Sequence, residues 1–155
     1  MSVDVKAKLA ELGIELPEAA LPVAAYIPAV RTGNLVFTAG QLPLVKGAIP
    51  YVGKVDGGVT PEQAKEMAQV CILNAIAAVG LVADINNIER VVQVRGFVNG
   101  VTGFVGHPGV VNGASELLIH IWGDEKGKHA RTAIGVAELP LNAPVEIELI
   151  VELCC

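Results

Sequence analysis

From Pro144 to Leu153 the chain alternates, with Val145, Ile147, Leu149, Val151 and Leu153 on one side and Glu146, Glu148, Ile150 and Glu152 on the other. A period of two puts successive side chains on opposite faces of a sheet, so this segment reads as a strand with one buried face. Ile88 to Asn99 follows the same rule, Val92, Val94, Gly96 and Val98 alternating with Gln93, Arg95 and Phe97. Two shorter strands, Ala29–Arg31 and Leu35–Ala39, flank Thr32-Gly33-Asn34, which reads as a tight hairpin turn. Ala130 to Leu139 is a further strand, and Pro140-Leu141-Asn142-Ala143 turns it into the last one.

Helical spacing marks three other segments. Thr60 suits an N-cap, Pro61 the first helical position, and Gln63 completes a capping box. Ala64, Met67, Ala68, Cys71, Ile72, Ala75, Ile76 and Val79 then repeat along one face up to Gly80. Val111 to Trp122 reads as a second helix, with Leu117, Leu118 and Ile121 facing inward. Val3 to Leu12 is a short leading helix with Val5, Leu9 and Leu12 on its apolar side, stopped by Gly13. Between these lie an extended connection (Ile14 to Ala25, with Pro17 and Pro22) and a Gly/Pro-rich loop (Gln41 to Gly58) with a short strand near Tyr51. Gly100 to Gly113, which holds five glycines, is a loop, and Asp124 to Lys128 a charged turn.

The order is therefore β-β-α-β-α-β-β after a leading helix. Both long helices cross from one strand to another, which predicts an α+β fold with one mixed sheet and both helices on a single face. The opposite face would be bare and too apolar for water, so it is expected to pack against neighbouring subunits. Composition points the same way. Of 155 residues 52% are hydrophobic and 17% charged, against about 25% charged in an average globular chain. That length fits one domain over residues 1–155, in which 1–25 hold the helix and extended connection and 26–155 the core.

Charge and cysteines narrow the function classes. A net charge of −5, with the basic residues scattered, argues against broad nucleic-acid binding. Met67 to Ala83 is uncharged but shorter than a membrane span needs, and Gln69 and Asn74 interrupt it. Met1 to Gly13 carries four charges and no apolar stretch of the secretory kind. Cys71 falls on a buried helix face, and the adjacent Cys154 and Cys155 suit no disulfide scaffold. A reducing cytoplasm is the expected location.

Candidate chemistry is sparse. Ser115 sits on an expected helix with no G-x-S-x-G elbow around it. His107, His120 and His129 lack ligand spacing, and there is no C-x-x-C, so no metal is expected. Arg131 opens a strand of small residues with no further charge before Glu138. Its planar fork suits a carboxylate or phosphate held by two parallel hydrogen bonds. Alternatively, a hairpin register centred on Leu141–Asn142 would place Glu152 opposite Arg131 as a structural ion pair. Glu146 and Glu148 share one face of an otherwise apolar strand; a carboxylate buried at a subunit junction would have its pKa raised, as acid–base work requires. Tyr26, before Ile27-Pro28, is placed to stack on a ligand or simply to pack.

Two segments carry a family resemblance. His129-Ala130-Arg131-Thr132-Ala133-Ile134-Gly135-Val136-Ala137-Glu138-Leu139-Pro140, followed by Val145-Glu146-Ile147-Glu148, resembles the C-terminal signature of the RidA/YjgF family, also called L-PSP endoribonuclease. Gly33-Asn34-Leu35-Val36-Phe37-Thr38-Ala39-Gly40-Gln41-Leu42-Pro43, at the right distance from Tyr26, resembles its N-terminal stretch. The resemblance covers Tyr26 to the C-terminus. It implies a chorismate-mutase-like fold (bacillus type) with a mixed six-stranded sheet and two main helices on one face. It also implies a homotrimer with ligand clefts between subunits, and hydrolysis of 2-aminoacrylate-type enamines and imines to 2-keto acids and ammonia without a cofactor. By position, Arg131 matches the arginine that holds the substrate carboxylate and Glu146 the glutamate that orients water. Tyr26, Gly40, Asn112 and Ala133 match cleft residues.

The departures are specific. Many family members carry a cysteine at the place of Ala133, and His129 stands where proline is common. The leading helix and the longer Trp122–His129 connection read as additions, which marks a divergent subgroup. An imine deaminase is the first reading; a binder or regulator of carboxylate metabolites, motivated by the missing thiol, is the second. A ribonuclease, as the older name suggests, has the acidic charge against it.

Overall fold

The computed structural model describes residues 2–22 and 24–155; Met1, and Val23 in the expected extended connection, lie outside the described residues. Five strands form one mixed sheet: β1 (Ala29–Thr32), β2 (Leu35–Thr38), β3 (Ile88–Val98), β4 (Ala130–Gly135) and β5 (Val145–Leu153), in the order β1-β2-β5-β3-β4. The helices are α1 (Val5–Ala10), α2 (Pro61–Val79) and α3 (His107–Gly127). Both α2 and α3 lie on one face: α2 packs on β5 and β2, α3 on β3 and β4. The α+β class and this layering agree with the sequence reading. Five strands are found among the described residues where six were expected. Near Tyr51 there are only isolated bridges, because Lys46, Gly47, Gly53, Asp56 and Gly58 all adopt positive φ and break any extended run.

The core lies between the sheet and α2 and α3. On β5 the buried positions are Val145, Ile147, Leu149, Val151 and Leu153, with Glu146, Glu148, Ile150 and Glu152 on the open face. β3 departs from simple alternation. Its register with β5 shifts between Val91 and Gln93, and this irregularity leaves Val91, Val94, Gly96 and Val98 buried and Val92 only partly so. α2 starts as its sequence dictates: Thr60 Oγ1 accepts from the Gln63 amide at 3.1 Å and the Gln63 side chain accepts from the Thr60 amide at 2.9 Å. All eight apolar positions expected on its inner face are buried. Asn74, also buried, donates to the carbonyls of Leu42 and Leu44 and so fastens the loop after β2 across the helix.

α3 is longer than its periodicity suggests. It begins at His107 rather than Val111, with Pro108 in its first turn, and it runs past a kink at Gly123 to Gly127. The expected charged turn is thus mostly helical, and Lys128 pairs with Asp124 at 2.8 Å across one turn. Two glycines, Gly113 in α3 and Gly96 in β3 beneath it, are there for contact. A Cβ on Gly113 would lie 2.0 Å from the backbone oxygen of Lys65 in α2, and one on Gly96 would meet Val111 Cγ2 at 2.4 Å. Gly113→Ala should therefore force α2 and α3 apart. The expected cost is about 2–3 kcal/mol, or roughly 4–10 °C in melting temperature for a chain of this size. Thermal denaturation followed by circular dichroism measures it, and an unchanged melting point would refute the tight contact.

The last strands correct a further expectation. β4 does not pair with β5. It lies at the sheet edge, parallel to β3, which separates it from β5. Glu152 sits opposite Leu35 and Arg90, so the Arg131–Glu152 ion pair does not form. The Pro140–Asn142 turn carries the chain across β3 rather than into a hairpin. A β3-α3-β4 crossover delivers β4 instead, and this places Arg131 beside α3.

Candidate functional site

Parity and register decide which side chains can meet. Arg131 sits opposite Val94, whose side chain is fully buried on the helix side of the sheet. Glu146 sits opposite Phe97, on the open side. Successive residues of a strand point to opposite faces. Arg131 and Glu146 therefore project from opposite faces of the same sheet, on strands separated by β3. One chain does not bring them together.

Around Arg131 the helix side forms a polar cluster. Nη1 of Arg131 donates to Asn112 Oδ1 at 2.7 Å and to Ser115 Oγ at 3.3 Å. Both partners come from α3, one turn apart. Ser115 is buried, and its Oγ lies 2.9 Å from His129 Nε2; His129 Nδ1 lies 2.6 Å from the Gly127 carbonyl. Ala133, two residues along β4 on the same face, is partly buried against the core. The structure thus unites Arg131, Asn112 and Ala133. It adds Ser115 and His129, which sequence patterns set aside. Their 14-residue separation matches no motif; the signal that could have found them is β4 following α3 directly, which brings the end of the helix back beside the start of the strand.

Glu146 belongs to a second group on the open face. Its carboxylate reaches to where a Cβ on Gly40 would be, so only glycine leaves room for it there. Burial raises its pKa above the usual carboxylate range, and the nearby Glu148 adds to this. Glu148 itself pairs with Arg95 Nη2 at 2.8 Å. Tyr26 is exposed in the bend before β1. Val30, Phe37 and Ile134 are exposed on the open face, with Phe97 and Ile150 between them. A cleft of 640 Å³ between Lys54, Phe104, His107 and Glu138 is lined by neither Arg131 nor Glu146.

The other candidates are accounted for structurally. His120 lies 3.2 Å from a Glu11 carboxylate oxygen, and His107 meets Phe104 edge-on. No group of three or more His, Cys, Asp or Glu capable of holding a metal occurs among the described residues. No described helix is long and apolar enough to cross a membrane.

The chain is thus a small α+β fold with a guanidinium fixed at a sheet edge and a partly desolvated carboxylate on the far face. A family model described as "YjgF/chorismate mutase-like, putative endoribonuclease" matches residues 6–153, and the chain belongs to this RidA/YjgF family. Protein TCP17 of Trypanosoma cruzi is 37% identical, covering 96% of this chain and 94% of that protein. A 2-iminobutanoate/2-iminopropanoate deaminase of Dermatophagoides farinae is 32% identical, covering 89% and 93%. Among solved structures, protein Atu1372 of Agrobacterium tumefaciens is 41% identical, covers 96% of this chain and 91% of its own, and superposes with a TM-score of 0.86.

Proposed function

We propose that this protein hydrolyses reactive 2-imino and enamine acids of the 2-aminoacrylate type to 2-keto acids and ammonia, in clefts between the copies of a cytoplasmic homotrimer. The observation that carries the reading is Arg131: among the described residues its guanidinium is anchored through Nη1 alone, on a solvent-facing edge. A fork held in this way suits a small carboxylate. The 32% identical deaminase supports the substrate class. The opposed faces of Arg131 and Glu146 support a shared cleft, since a second copy must supply one of them. The apolar open face supplies the surface such copies would bury.

The chemistry asks little of the protein. The enamine tautomerises to the imine, whose carbon is already electrophilic. Arg131 holds the carboxylate, and the ionised Glu146 accepts a proton from a water that attacks the carbon. That proton passes to nitrogen to give the carbinolamine; Glu146 then takes the hydroxyl proton and delivers it to the amine, and as the C=O bond forms the C–N bond breaks, releasing the keto acid and ammonia. No thiol, metal or cofactor enters, so Ala133 need only leave space for the substrate. Tyr26, Gly40 and Asn112 would complete the walls.

The test is to generate 2-aminoacrylate in solution and follow its decay with and without protein. Accelerated decay with stoichiometric keto acid and ammonia is the expected outcome. Binding of 2-oxobutanoate by calorimetry without acceleration would replace it with a metabolite-binding role, and RNA cleavage surviving loss of Arg131 would displace both.

A further inference from the structure

We propose that Ser115 and His129 are positioning residues for the carboxylate clamp, locking Nη1 of Arg131 so that its Nε–Nη2 edge faces the substrate. This rests on the reading of Arg131 as the clamp. The hydrogen-bond logic leaves one consistent arrangement. The Gly127 carbonyl can only accept, so the proton of His129 sits on Nδ1. Nε2 then carries a lone pair, and the Ser115 hydroxyl, 2.9 Å away, donates to it. With its proton so directed, Ser115 Oγ turns a lone pair toward Arg131 Nη1 at 3.3 Å. Asn112 Oδ1, 2.7 Å away, takes the other Nη1 hydrogen.

Both Nη1 hydrogens are thereby used. Nε and Nη2 have no protein partner among the described residues, and together they form the side-on edge that matches the two oxygens of a carboxylate. The neutral state this requires is favoured: burial lowers the His129 pKa, the bond to the Gly127 carbonyl opposes the shift, and the Arg131 charge reinforces it. A protonated His129 would instead donate to Ser115. It would also set a second positive charge beside Arg131. The relay Gly127–His129–Ser115–Arg131 joins the end of α3 to β4, so the clamp is set by the backbone rather than by a flexible side chain.

The test titrates 2-oxobutanoate into the full-length protein and its variants. Ser115→Ala and His129→Ala should each weaken binding roughly tenfold, the worth of one misdirected charge-assisted hydrogen bond. KM should rise in step with little change in kcat, because the loss falls on ground-state and transition-state binding alike. The double variant should be no weaker than either single one, since the two residues act in series. Ser115→Thr, which keeps the hydroxyl, should return affinity to within about threefold of wild type. Where Ser115→Ala does not fold, Ser115→Cys keeps the volume, offers only a weak acceptor and should bind as poorly. Wild-type affinity in the Ser115 and His129 variants, with binding lost in Arg131→Ala, overturns the relay and leaves the clamp standing. Wild-type affinity in Arg131→Ala as well overturns the clamp itself.

Discussion

Arg131→Ala is expected to lower kcat/KM for 2-aminoacrylate hydrolysis by roughly 30-fold to a few thousand-fold, equivalent to about 2–5 kcal/mol of lost transition-state stabilisation. The range has a physical meaning. In a single chain Arg131 is exposed at the sheet edge. An exposed charge pair contributes little, roughly 0–1 kcal/mol. The larger loss arises only where a second copy covers the guanidinium and excludes water. The size of the effect therefore reports whether the cleft is formed between copies. Arg131→Lys sharpens the comparison. It keeps the charge but loses the fork and the double anchorage of Nη1 to Asn112 and Ser115. It should recover only part of the activity. Release of keto acid from 2-aminoacrylate is the measurement, and an alanine variant within threefold of wild type would remove Arg131 from the mechanism.

What could be read from the sequence depended on how local the determining interactions are. The start of α2 was legible because Thr60, Pro61 and Gln63 satisfy its free amides among themselves. The buried face of β5 was legible because strict alternation has one structural meaning. The partner of β4 was not. Parallel pairing with β3 requires α3 as a crossover, and no turn residue between β4 and β5 announces that the strands part company. Pro140-Leu141-Asn142-Ala143 looks like a hairpin turn and serves a longer connection. The start of α3 was hidden for a different reason. Glycines at 109 and 113 read as backbone freedom, whereas Gly113 is present because the helices touch there.

The site divides along the same line. Arg131 and Glu146 stood out from charge and strand pattern, Gly40, Asn112 and Ala133 came from the family resemblance, and only the fold distributes them between two faces. Neither alternation nor motif could show this, because the relative parity of Arg131 and Glu146 depends on two registers through β3. Ser115 and His129 were set aside for want of a motif. They became visible when the end of α3 folded back beside β4, a contact between residues 14 apart that no short-range rule describes.

Glu146→Gln should abolish most turnover while leaving 2-oxobutanoate binding within a fewfold of wild type. Glutamine keeps the shape and can hold a water, but it cannot accept the proton that the water must lose. A positioned general base contributes about 10²–10⁴-fold, and a loss of that order in kcat is expected. The pH profile gives a second readout. Burial, and then Glu148, raises the Glu146 pKa, so the ionised base is lost at a higher pH than an ordinary carboxylate would require. The wild-type rate should rise with pH through a midpoint above the usual carboxylate range, and the residual rate of the glutamine variant should lack that limb. Stability should respond with the opposite sign. A carboxyl that binds its proton more tightly folded than unfolded costs stability once ionised, so the wild type should lose stability relative to Glu146→Gln as pH rises from the ordinary carboxylate pKa through the raised one. Melting curves of the two proteins across that interval, and the acidic limb of kcat, must therefore place the same group at the same pH. A limb that persists in the glutamine variant would assign the proton to another residue.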